Sequence, residues 1–216
     1  MENSKASSDD FLYYDNTEGY LATGFQAVHD EYMFDRGMLN VLCEICTVNQ
    51  KITTNNPPES EVIPMKLRER LRLTQYYLLS RVNSNTDAIN DKVSHACCLG
   101  VLLYVGIIQN EFLVSPLSKH FIWKLKVCLQ KENWTTEAMC VLRLWILFLA
   151  GPLVFDPIER PWFINAVLET ILQISLLDWC ESKLVLETFA WAEEIQDNNG
   201  RDLWDEAMRM QNLSQE

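Results

Sequence analysis

Thr135-Thr136-Glu137-Ala138-Met139-Cys140-Val141-Leu142-Arg143-Leu144-Trp145-Ile146-Leu147-Phe148-Leu149-Ala150-Gly151-Pro152 holds an apolar run from Ala138 to Ala150 that is broken only by Arg143. Leu153-Val154-Phe155-Asp156-Pro157-Ile158-Glu159-Arg160-Pro161-Trp162-Phe163 follows it. Thr135 or Thr136 can cap a helix, because a side-chain oxygen there accepts an orphan backbone N–H. Glu137 then lies near the positive end of the helix dipole. From Met139 to Ala150 apolar residues cover nearly every face, the pattern of a helix buried on all sides. Gly151 is expected to close that helix in the left-handed conformation, and Pro152 cannot continue it. Pro161 suits the first turn of a new helix, where its missing N–H would have had no partner anyway. The stretch reads as a central core helix, a sharp stop and a second helix start.

A helical period recurs on both sides of that stretch. Val28, Tyr32, Leu39, Leu42, Ile45 and Cys46 fall near three- and four-residue steps between Ala27 and Lys51, with Gly37 as the expected break. Asn55-Asn56-Pro57-Pro58 and Pro64 mark a loop over Thr53–Pro64. Met65–Arg81 is a helix with Leu67, Leu71, Thr74 and Leu78 on one face. Asn83–Asp87 is a polar turn, and the helix after it reaches about Gln109, with His95, Cys98, Leu99, Leu102 and Val105 in phase. Ser115-Pro116 opens a helix with Phe121, Leu125, Cys128 and Leu129. Phe163, Val167, Thr170, Ile171 and Ile174 mark the helix after Pro161. Asp178-Trp179-Cys180-Glu181 has capping-box spacing. The helix it opens is expected to carry Val185, Phe189, Ala192 and Ile195 on one face and to stop at Asp197-Asn198-Asn199-Gly200. Leu203, Trp204, Ala207 and Met208 belong to a last helix.

Apolar residues make up 48% of the 216, while Gly and Pro number seven each. No alternating pattern persists. The fold class is therefore all-α: a single globular multi-helix domain of about eight or nine helices over residues 20–212. Residues 1–19 are rich in Ser, Asp, Asn and Glu and are expected to be disordered. Within them Asp9-Asp10-Phe11-Leu12-Tyr13-Tyr14-Asp15 sets acids around aromatics, the composition of a short docking segment or of a flexible end packed on its own domain.

A formal net charge of −12 repels phosphate backbones, so no direct nucleic-acid contact is expected from this chain. Lys66, Arg68, Arg70 and Arg72 are a local exception. They suit a phosphate or an acidic partner, or an exposed face ion-paired with Glu61 and Glu69. Ala96–Ile108 is too short to span a bilayer, and Ala138–Phe155 contains Arg143, Gly151 and Pro152. Both read as core helices, with no membrane partner. The polar, acidic N-terminus is unlike a signal peptide.

Cys43, Cys46, Cys97, Cys98, Cys128, Cys140 and Cys180 are odd in number and mostly inside apolar helical patterns, as reduced thiols in a reducing compartment would be. Cys43-Glu44-Ile45-Cys46 is a lone C-x-x-C with no second pair to complete a tetrahedral zinc set. His29, His95 and His120 lie far apart in the sequence. Glu193-Glu194 and Asp205-Glu206 read as solvated helix faces rather than acid–base pairs. No nucleophile elbow, phosphate-binding glycine loop or H-E-x-x-H occurs. No enzyme activity, cofactor or metal is expected. Trp145, Trp162, Trp191 and Trp204 read as core packing, or alternatively as the walls of a ligand pocket.

Leu144, Trp145, Ala150 and Gly151, then Glu159, Arg160, Trp162 and Phe163, resemble a signature in the regulatory domain of fungal binuclear zinc-cluster transcription factors. That signature is an apolar leucine-tryptophan helix ending in Ala-Gly, a short loop, and Glu-Arg-x-Trp-Phe opening a helix. Phe189, Ala190 and Trp191, then Gly200, Leu203 and Trp204, follow in the family's order. Leu73, Tyr76, Tyr77 and Leu78 resemble an upstream family helix. The resemblance covers about Glu61 to Met210. It departs where the family's zinc cluster needs six cysteines in a basic segment: Cys43 and Cys46, with Lys51 nearby, begin such a pattern, but no further cysteine comes before Cys97. The chain thus resembles the regulatory half alone.

The resemblance implies a transcription-regulatory domain working through protein–protein contacts, with co-regulators or a second copy as partners. A small-molecule effector is compatible with it. It implies the nucleus, with the cytoplasm as the other compartment, and Trp145, Gly151, Arg160, Trp162, Trp191 and Trp204 as its structural motif. The competing reading is a helical small-molecule-binding protein outside transcription. Arg160 is expected to bond the carbonyls ending the preceding helix, or to pair with Asp156.

Overall fold

The computed structural model describes residues 20–54, 65–83, 92–110, 116–131 and 134–213. Segment 1–19, nearly all of the expected 53–64 loop and 83–87 turn, and the Ser115 cap lie outside the described residues. Nine α-helices and no strand occur among the described residues, in one compact helical domain. They are α1 Thr23–Tyr32, α2 Arg36–Thr54, α3 Met65–Asn83, α4 Lys92–Ile108, α5 Pro116–Lys131, α6 Glu137–Ala150, α7 Arg160–Gln173, α8 Trp179–Leu186 and α9 Glu193–Leu213.

α6 is the axis of the molecule. The Thr136 hydroxyl oxygen accepts the Met139 N–H at 3.3 Å, which starts the helix where the sequence places it. Leu142 and the run Leu144–Ala150 are all buried. Around α6 pack α1, α4, α7, α8 and α9. Each fully buried Leu, Ile or Phe contributes about 1.5–3 kcal/mol, so this helix is held by packing rather than by its own propensity. α4 is the second inner helix, buried from Ala96 to Gly106, and it carries α3 and α5 on its flanks.

Two expected boundaries move, and a third keeps its place but changes its conformation. The break between α1 and α2 falls at Met33–Asp35, not at Gly37. Met33 takes the left-handed turn, with φ 59°, and the Asp35 carboxylate accepts the Met38 N–H at 3.0 Å to cap α2. Gly37 lies within the first turn of α2. At the end of α6, Gly151 is right-handed (φ −52°, ψ −48°), not left-handed. The chain tightens there into a 3-10 turn, Gly151–Leu153, which Pro152 tolerates at its start.

The last change is the largest. Asp197–Gly200 does not stop a helix; α9 runs through it from Glu193 to Leu213. The helix opened by Asp178 ends at Leu186 instead, so Val185, Phe189, Ala192 and Ile195 do not share a helix face. Two indoles cover the weak segment. A Cβ on Gly200 would lie 2.8 Å from the Trp179 ring and 3.2 Å from the Trp191 ring. The Trp191 indole N–H donates to Asp197 Oδ1 at 2.8 Å. Tertiary packing overrides the poor local propensity of Asp-Asn-Asn-Gly.

Candidate functional site

Apart from Trp162, the residues of the family-like motif gather at two junctions. At the first, Arg160 opens α7 and turns its guanidinium back toward the end of α6. Its Nη1 donates to the Gly151 carbonyl at 3.1 Å and the Val154 carbonyl at 2.8 Å. Its Nε and Nη2 engage the Glu206 carboxylate of α9, with Nε 3.0 Å from Oε1. The carbonyl contacts are those expected from the sequence; the carboxylate is Glu206, not Asp156. Asp156 is used locally, its Oδ1 accepting the Ile158 N–H at 2.9 Å. Glu206 is therefore not part of a solvated acidic face. A Cβ on Gly151 would lie 2.6 Å from Leu203 Cδ2, so the glycine lets α9 close on the end of α6.

At the second junction Trp145 is fully buried. Its indole N–H donates to the Ala190 carbonyl at 3.0 Å. Its ring stacks on Phe189, centroids 5.6 Å apart, and meets Phe25 edge-on at 5.2 Å. Trp191 and Trp204 are buried near the α9 side of the core. Lys183 ties this region together, with its ammonium 2.7 Å from Asp197 and 2.5 Å from Glu193. Those two carboxylates hold its pKa above the usual lysine range. Trp162 stands apart, half-buried against Phe163, with the Lys126 ammonium 5.5 Å from its ring centre.

This arrangement fastens helices together. Burial pushes the thiols of Cys43 and Cys140 above their ordinary values and that of Cys46 up to about 11, the reverse of nucleophile activation. The Cys46 sulfur accepts the Ala22 N–H at 3.4 Å. Among the described residues no group of three His, Cys, Asp or Glu side chains is placed to hold a metal ion. No described helix is long and apolar enough to cross a membrane.

Two surface features remain. A cleft of about 240 Å³ lies between the end of α4 (Ile107, Asn110), Phe148 of α6, Leu153, and the start of α9 (Ile195, Asn199). It falls below the roughly 300–1,000 Å³ of drug-sized sites. None of the four motif tryptophans lines it, and neither does any charged residue among those described. Gln196 on its wall already accepts the Ala192 N–H at 2.7 Å. The other feature is α3. Arg70 pairs with Glu44 of α2 and Arg81 with Asp35. Lys66, Arg68 and Arg72 are exposed and, among the described residues, lie in no ion pair; Glu69 is also in none, and Glu61 lies outside the described residues. Of the four cations, Arg70 is ion-paired, through Glu44 rather than Glu69, and the part of the expectation that rests on Glu61 lies outside the described residues.

Sequence reasoning missed Glu206 and Lys183 as organising groups. Each meets partners on another helix or in a turn, and periodicity does not report on such contacts. In comparisons with known proteins, no family model, no curated protein and no solved structure matches the chain.

Proposed function

We propose that this chain is a helical regulatory domain of the zinc-cluster transcription-factor type, acting in the nucleus through protein–protein contacts and not through DNA contact by these residues. One observation carries the reading. The signature residues Gly151 and Arg160, near one another in the sequence, meet the distant Leu203 at a single junction of α6, α7 and α9. A motif of this kind preserves a scaffold, which is what a contact domain requires. The raised thiol pKa values of Cys43, Cys46 and Cys140 and the small cleft with no charged residue among its described lining also weigh toward binding of proteins over catalysis.

Tethering the full chain to a heterologous DNA-binding module tests the proposal. Reporter output is expected to change, in either direction, when the fusion occupies its operator. Unchanged output from a well-expressed fusion that melts like the free chain would overturn it.

A further inference from the structure

α3 is an edge helix with two unlike faces. Leu67, Leu71, Thr74, Leu78 and Val82 are buried against the core. On the outer side Met65, Arg68, Arg72, Leu73 and Tyr76 fall at i, i+3, i+7, i+8 and i+11, so they form one continuous stripe. Met65 is 83% and Tyr76 71% exposed, so the stripe offers apolar surface beside its cations. The helix holds five of the chain's 18 Lys and Arg residues and a single acid, in a protein of net charge −12. A stripe that is both cationic and apolar fits an acidic peptide with aromatic anchors. It fits a phosphate backbone poorly, because so few cations on so acidic a body release few counterions.

The chain carries such a peptide. Asp9-Asp10-Phe11-Leu12-Tyr13-Tyr14-Asp15 places acids on both sides of four apolar side chains. We propose that the outer face of α3 is the docking surface for residues 9–15 of the same chain. The tether allows it. Ala22 is fixed by its N–H to Cys46 of α2 at 3.4 Å, and Glu44, two residues earlier in α2, pairs with Arg70 of α3. Tyr20 therefore starts beside α2, one helix diameter of about 10–12 Å from α3. The ten residues from Phe11 to Tyr20 reach about 30 Å when extended. A short tether gives millimolar effective concentration, so a weak contact suffices to hold the segment. Asp9, Asp10 and Asp15 then meet Arg68, Arg72 and Lys66, while the aromatics cover Met65, Leu73 and Tyr76. An acidic partner protein would reach this stripe only by displacing the segment. The contact stands apart from any role in transcription.

Amide hydrogen exchange on the full chain tests it. Residues 9–15 are expected to exchange about tenfold more slowly than in a free peptide of residues 1–19. Reversing the stripe with Arg68→Glu and Arg72→Glu is expected to abolish that protection without changing the melting temperature, because both side chains are exposed and unpaired. Adding Asp9→Lys and Asp10→Lys to the reversed stripe should restore it. Exchange at the free-peptide rate in the unmodified chain would overturn the proposal. So would protection that survives the reversal, or a charge swap that restores nothing. Protection that disappears on dilution would also overturn it, since the occupant would then be a second copy.

Discussion

Arg160 and Glu206 lie 46 residues apart and form a bidentate pair that fastens the start of α7 to α9. The same guanidinium caps two carbonyls released by the end of α6. Both partners are about a third exposed, so solvent screens the charge–charge part. The hydrogen bonds to carbonyls set the expected loss: Arg160→Ala lowers stability by about 1–3 kcal/mol. Arg160→Lys recovers little, because one ammonium cannot reproduce the planar fork. Urea unfolding monitored by tryptophan fluorescence reads both, and an unchanged midpoint for Arg160→Ala would refute the clamp.

Gly200→Ala tests a close approach against helix propensity. In an open helix interior the change stabilises by about 1 kcal/mol. Here the new methyl would sit 2.8 Å from Trp179 and 3.2 Å from Trp191. Trp191 is buried and tied to Asp197, so it yields least. Overpacking of this kind costs about 1–3 kcal/mol, and the net expectation is a loss of stability. A higher thermal midpoint would show that the indoles simply move aside.

These residues also mark where the sequence was legible and where it was not. Local signals read correctly: the Thr136 cap, Pro161 in the first turn of α7, and the Asp178 box, whose Oδ1 accepts the Glu181 N–H at 2.9 Å. In that box Glu181 reaches back to the N–H of Leu177, one residue before the cap. The all-helical core followed from the apolar period of α4 and α6. The break before α2 was missed although Asp35, its cap, is a local signal; the other failures depended on contacts between distant segments. Asp197–Gly200 looks like a stop until Trp179 and Trp191 close over it. Gly151 looks like a left-handed cap until Leu203 gives it a different task. Of the motif residues, the Arg160 carbonyl partners were readable because they precede it closely in the sequence. Glu206, a helix away, was not.

Acid weakens the α2 cap. Burial alone would raise the Asp35 carboxyl, but hydrogen bonds from Arg81 and the Met38 N–H, with the Arg81 charge, hold it below its ordinary 3.8. A depressed carboxyl contributes stability that is present above the unfolded value and is lost as pH falls through the folded one. Asp35→Asn keeps an oxygen for the cap but loses the charge. The difference between the two proteins should therefore be constant near neutrality and shrink below about pH 4. A difference that persists undiminished in acid would mean that the carboxylate's charge contributes nothing.

Tyr104 is fully buried and donates its hydroxyl to Asn49 Oδ1 at 2.7 Å, joining α4 to α2. Burial pushes its pKa far above the ordinary phenol range, so the bond holds through alkaline conditions. Tyr104→Phe is expected to cost about 0.5–1.5 kcal/mol, the net worth of one neutral hydrogen bond. A larger loss would mean that the Asn49 amide finds no water in exchange. Chemical denaturation of the single variants and of Tyr104→Phe with Asn49→Ala isolates the pair.

The thiols separate by depth. Cys180 is exposed, Cys43 and Cys128 are half-covered, and Cys46, Cys97, Cys98 and Cys140 are buried. A thiol reacts as its thiolate, so both access and a raised pKa slow it. At neutral pH a disulfide reagent should label Cys180 first. The four buried thiols should follow only when the protein opens, because burial denies the reagent access, and in the folded chain the raised value of Cys46, about 11, also keeps it a thiol at neutral pH. The raised value also has a stability sign. Cys46 contributes fully below its unfolded value of 9.0, and the contribution is lost as pH rises from there toward 11. Alkaline unfolding should therefore expose Cys46 together with the Ala22 contact it accepts. Mass mapping of labelled peptides across that pH range checks the order, and early labelling of Cys46 in the folded chain would contradict its burial.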